Sequence, residues 1–118
     1  MSVSQLKLNL VEGSVSFRFT PEGARELRSQ IAELMERLKA ATQNATAGRA
    51  LKVSPQKPME YQYTGEVFLE VFCNPNIWPS PFAAKVLIVL RDDRIRLTTE
   101  AELTRTIEDL ERYLEQVE

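Results

Sequence analysis

Between residues 24 and 41, apolar side chains recur at Ala24, Leu27, Ile31, Leu34, Leu38 and Ala41, in alternating steps of three and four. On an α-helix that spacing draws one continuous apolar stripe, which must be buried against another element. Arg25, Arg28, Glu33, Glu36, Arg37 and Lys39 fall off the stripe and give the helix a wet side. Thr20-Pro21-Glu22 supplies the start, with an N-cap hydroxyl, a proline at the first helical position and an acid near the positive end of the dipole. On both sides of this helix the apolar period changes from 3.6 to 2. The element that covers the stripe is therefore a sheet.

The period-2 runs can be placed one by one. Leu6, Leu8 and Leu10 alternate with Lys7 and Asn9, and after Glu12-Gly13 the run Val15, Phe17, Phe19 alternates again, which predicts a hairpin. Met59 to Cys73 reads as one long extended segment. Val67, Leu69, Val71 and Cys73 lie on one face of it, and Phe68 and Phe72 lie on the other with Glu66 and Glu70. Large apolar groups on both faces mark a central strand, or one whose second face meets something else. Lys85 to Leu90 is almost wholly aliphatic, Asp92-Asp93 supplies a turn, and Ile95 to Leu97 is a short alternating run. Leu103, Ile107, Leu110, Leu114 and Val117 form a second helical stripe, and Thr99-x-x-Glu102 ahead of it has capping-box spacing.

These readings predict a single α+β domain over residues 1–118. Its order is β-β-α-β-β-β-α, with a mainly antiparallel sheet and two long amphipathic helices packed on one sheet face. Gly48 is the expected stop of the first helix. Residues of about 42–58, with Ser54-Pro55 and Pro58, are expected to form a mobile loop that allows a short extra strand near Leu51 to Val53.

Composition removes several kinds of chemistry. The chain has no histidine, so the commonest general base and the commonest transition-metal ligand are missing from it. Glycines at 13, 23, 48 and 65 are scattered and build no phosphate loop or dinucleotide fingerprint. A formal charge of −2 argues against a dedicated nucleic-acid binder. One cysteine makes no internal disulfide, and the amino terminus shows no basic segment leading into an apolar core. Together these point to a cytoplasmic protein with no membrane span. No catalytic residue, cofactor or metal is expected.

Three regions remain as candidates. Cys73 to Phe82 holds the only cysteine, the only tryptophan and three of the six prolines. Its prolines fix their own φ and bias the residues before them, so the loop is stiff and loses little entropy on binding. With no histidine and no cationic run beside it, Cys73 reads as a buried strand end rather than a nucleophile. Ile77, Trp78, Pro79, Pro81 and Phe82, together with Phe68 and Phe72 on the uncovered sheet face, are the expected partner-binding residues. They point to a non-catalytic adaptor, regulator or assembly factor that binds a protein partner, with a homodimer as the simplest cover for Phe68 and Phe72.

The second candidate is a small-ligand pocket, or an atypical active site, between the sheet and the 74–82 loop, drawing on Tyr61, Tyr63, Glu66, Glu70 and Trp78. Glu66 and Glu70 with Asp92 and Asp93 also offer oxygen ligands for magnesium, although solvated strand and turn carboxylates explain them as well. The third is the segment from Arg37 to Lys57, which carries five basic residues and no acid. It would dock on RNA or another anionic surface but has no aromatics interleaved for base stacking.

Overall fold

The computed structural model describes residues 5–46 and 55–117, and their side chains except those of 42–46. Two strands, β1 (Gln5–Asn9) and β2 (Ser14–Arg18), form an antiparallel hairpin. Its turn uses Gly13 at φ 86°, a conformation open to glycine, and Leu10 N–H donates to the Gly13 carbonyl at 2.9 Å. Helix α1 (Pro21–Thr46) follows. Thr20 caps it as its sequence position predicts, with the Gly23 amide donating to Thr20 Oγ1 at 3.0 Å.

The second sheet is an antiparallel meander of four strands in the order β3 (Met59–Thr64), β4 (Phe68–Cys73), β5 (Lys85–Arg91) and β6 (Arg96–Glu102), after which α2 (Leu103–Val117) ends the described chain. The fold is α+β with antiparallel sheets, as the pattern predicts. Both helices share one core with a single face of the meander.

Two local expectations are corrected. Met59 to Cys73 is folded back on itself at Gly65–Val67, where Gly65 N–H donates to the Val67 carbonyl at 3.0 Å. A Cβ at Gly65 would run into the Tyr63 ring and hydroxyl, so any larger residue there would have to displace that side chain. Thr99 and Glu102 do not form a capping box, because β6 runs through them to Glu102. Pairing with β5 and burial of Ala101 opposite Val86 hold that stretch extended, and the Leu103 amide donates to the Ala84 carbonyl instead. Helix α1 extends through Thr46, so the first part of the 42–58 segment is its helical end, although Thr42, Asn44 and Thr46 are weak helix formers. Gly48 and the suggested strand at Leu51 to Val53 lie outside the described residues.

The core is continuous. From α1 it takes Ala24, Leu27, Ile31, Leu34 and Leu38, and from α2 Leu103, Leu110, Tyr113 and Leu114. The meander contributes Met59, Tyr61, Leu69, Val71, Cys73, Val86, Ile88, Leu90 and Ala101, all of one strand parity. Leu6, Leu8, Phe17 and Phe19 seal it from the hairpin side. Two tyrosines fix the start of α1 to this core, with Tyr61 Oη donating to the Gly23 carbonyl at 3.0 Å and Tyr113 Oη to the Phe19 carbonyl at 2.8 Å.

Candidate functional site

The opposite parity of the meander forms an outer face with its own order. Register places Thr64, Phe68, Arg91 and Arg96 in one cross-strand row, and Gln62, Glu70, Val89 and Thr98 in the next. Glu60, Phe72, Leu87 and Glu100 make a third row, and Lys85 with Glu102 a fourth. Both edge strands show only polar side chains on this side, and all of these are exposed. The two central strands carry Phe68, Phe72, Leu87 and Val89 there, with Glu70 between the two phenylalanines and Arg91 and Lys85 at the ends. None of the four apolar residues belongs to the core cluster, and neither helix packs over them.

This strip is more exposed than a core and less exposed than scattered surface residues. Phe68 and Phe72 are half-buried, Leu87 is 39% exposed, and Val89 is sheltered by its neighbours at 7%. The Arg91 guanidinium lies over the Phe68 ring, 4.3 Å from its centroid, a contact worth about 0.5–1 kcal/mol at an exposed site. Along the strands the charge is segregated, with Arg91 and Arg96 at one end and Glu60, Glu100 and Glu102 against Lys85 at the other. The hairpin turn reaches the same acidic side, where Val11 N–H donates to the Glu100 carbonyl at 3.0 Å and Val11 is 51% exposed.

The loop that opens with Asn74 leaves from the acidic end of this face. Asn76 staples it to the chain before β3. Gln56 N–H donates to Asn76 Oδ1 at 2.7 Å, Asn76 Nδ2 donates to the Gln56 carbonyl at 2.8 Å, and Asn74 Oδ1 accepts from the Asn76 amide at 3.0 Å. The prolines and these side-chain bonds hold the loop from both sides.

The loop does not present its aromatics together. Ile77 is 66% exposed and Phe82 83% exposed, while Trp78 turns inward, is half-buried and packs on the core. Its indole N–H has no hydrogen-bond partner of ordinary geometry and faces the Cys73 thiol. Burial pushes that thiol up to about 11, against a smaller downward pull from the indole. A free thiol so placed is a core group and a poor nucleophile. Of the expected partner-binding residues, Phe68 and Phe72 stand together on the outer face, and Ile77, Pro79 and Phe82 are exposed beyond its end. Pro81 is half-buried, and Trp78 belongs to the interior.

The other candidates do not converge. Tyr61 is buried on the inner face with its hydroxyl bonded to α1, whereas Glu70 is on the outer face. Glu66 sits in the β3–β4 turn, where it pairs with Arg18 at 3.6 Å. Asp92 Oδ1 accepts from the Arg94 and Ile95 amides at 2.8 and 3.0 Å, which holds its carboxyl below the usual range. Among the described residues, no three acidic, cysteine or histidine side chains gather as a metal would require. In the basic segment, Arg37 is engaged with Glu33 and with the Lys57 carbonyl, each at 3.3 Å, and Arg49 and Lys52 lie outside the described residues. An open hollow of about 290 Å³ between β2 and the Leu90–Asp92 end of the meander has Phe17, Val67 and Ile95 among its walls. Of the residues expected to hold a small ligand, only Glu66 lines it.

Sequence reasoning missed two participants on the outer face. Leu87 and Val89 sit inside a run of five consecutive aliphatics, Val86 to Leu90, and a continuous run carries no parity signal. Counting outward from Phe72 across the register would have found them. No family model, curated protein or solved structure matches the chain. No helix among the described residues is long and apolar enough to cross a membrane.

Proposed function

We propose that the chain is a non-catalytic protein–protein interaction module, a small cytoplasmic adaptor, regulator or assembly factor. Its contact surface is the outer face of the meander, extended by Ile77 and Phe82 of the 74–82 loop. The observation that carries this reading is the apolar strip of Phe68, Phe72, Leu87 and Val89, rimmed by polar edge strands and left without a covering layer by both helices. An apolar centre inside a polar rim is the usual anatomy of a protein interface. The large aromatic side chains in it are the kind that anchor binding energy.

Affinity capture from the native cell tests the reading, with wild type compared against Phe72→Lys. A lysine at 72 stands beside Glu60 and two strands from Glu100, so the isolated fold tolerates it, but a contact would have to bury its charge. Loss of one specific protein with Phe72→Lys supports the reading, and an unchanged capture profile rejects it. Trp78→Ala is the wrong probe, because it removes a side chain packed on the core.

A further inference from the structure

We propose that a second copy of this chain covers the outer face, related to the first by a two-fold axis that lies between the two sheets and runs across the strands. This deepens, and rests on, the reading of that face as a contact surface.

Charge and symmetry together select this arrangement. Two copies stacked face to face can be related by an axis along the strands or by one across them. An axis along the strands leaves the ends unexchanged, so the arginine end of each copy meets the arginine end of the other and acid meets acid. An axis across the strands exchanges the ends, so the arginine end of each copy meets the acidic end of the other. Segregated charge on this face therefore selects one arrangement and penalises the other. Beyond Arg91 and Arg96 the turn holds Asp92, Asp93 and Arg94, and the Asp92 carboxylate is folded back onto its own turn amides.

The rows also fix where the axis crosses. Placed over the Val89–Thr98 row, it sets Arg96 opposite Glu100 of the other copy, Phe68 opposite Phe72, and Val89 against itself, while Arg91, stacked on Phe68, faces Leu87, so Arg96–Glu100 is the charge pair that selects the arrangement. That register brings the two Glu70 carboxylates toward each other, a cost that weakens the pair. Four strands and the three rows that overlap in this register cover about 300 Å² in flat projection, below the size of a standard stable contact. The dimer is thus reversible and dissociates on dilution.

Sedimentation equilibrium of the full chain tests this with Arg96→Glu and Glu100→Arg, each checked for native circular dichroism. Wild type sediments as a concentration-dependent dimer. Each reversal alone creates two like-charge contacts per dimer and weakens association about tenfold or more. An equimolar mixture of the two variants restores it. In the mixed pair the two reversed side chains face each other in one contact, and the native Arg96 faces the native Glu100 in the other. A monomeric wild type, a reversal without effect, or a mixture that stays monomeric overturns the proposal. If wild type is monomeric while Phe72→Lys still loses a captured protein, the dimer fails and the contact reading stands. If that capture is unchanged too, both fail.

Discussion

Asp109 of α2 holds Asn9 at the end of β1 across 100 residues of sequence. The Asn9 amide donates to Asp109 Oδ2 at 2.7 Å, and Asn9 Nδ2 donates to Asp109 Oδ1 at 2.9 Å. The Asp109 side chain is wholly buried, with Arg112 at 3.4 Å and Arg105 at 3.8 Å as its cationic neighbours. This clamp, together with the burial of Leu6, Leu8, Phe17 and Phe19, ties the hairpin to the rest of the fold. β1 and β2 pair only with each other, and β1 packs chiefly on α2.

Asp109→Ala leaves the Asn9 amide and side chain without their acceptor and is expected to cost about 3 kcal/mol. Asn9→Ala, which keeps the backbone bond, is expected to cost about 2 kcal/mol or less. Urea unfolding measures both. Hydrogen exchange should show β1 amides opening in Asp109→Ala before those of the meander.

The buried tyrosines predict alkaline sensitivity. Burial, helped by Glu26, raises the Tyr61 phenol well above its ordinary value, and burial raises Tyr113 as well. A phenol held neutral in the fold but free to ionise when unfolded contributes stability that is complete below about pH 10 and lost as pH rises toward the folded value. Stability should therefore fall above about pH 10 by about 1.4 kcal/mol per pH unit for each such group. Tyr61→Phe should flatten that slope while costing about 1 kcal/mol near neutrality for the lost bond to Gly23.

Cys73 should be inert in the native protein. With its thiol pushed up to about 11 from the ordinary value of 9.0, thiolate at about pH 8 is about 100-fold scarcer than in the unfolded chain. Burial slows attack further. Disulfide-exchange labelling should be slow in buffer and immediate in denaturant. Trp78→Ala should open the site, raising the labelling rate and lowering stability by about 2 kcal/mol.

On the outer face stability and association should separate. Glu70→Gln removes the like-charge approach that the two-fold arrangement creates on its own axis and should tighten the dimer with little change in the unfolding midpoint. Phe72→Lys should do the reverse to association and again leave stability within about 1 kcal/mol. Paired urea and sedimentation measurements on both variants check this.

How much of this was legible in the sequence depends on the kind of interaction. The Thr20 cap, the α1 stripe and the hairpin at Gly13 were readable because each is written within a few residues. The fold at Gly65 was hidden, since β3 and β4 alternate in compatible parity and a single glycine between them resembles a flaw in one strand. The capping box at Thr99 misled because local spacing was outvoted by pairing with β5, a tertiary effect. The same holds at the candidate site. Phe68 and Phe72 declared themselves by breaking the pattern of their strand, whereas Trp78, a rare residue in a stiff loop, turned inward to a core that the sequence does not display. Asp109 looked like one more acid on an acidic helix, and only the folded chain brings Asn9 to it.

Residue-level radical footprinting reads out whether the outer face of the meander is covered by contact in use. The chain would be labelled dilute and purified, then again in native extract, with Ile95, 63% exposed at the hollow beside β2, as the internal reference. Phe68, Phe72 and Leu87 should lose labelling in extract relative to Ile95. Unchanged ratios of the three to Ile95 between the two conditions would show that the face stays uncovered.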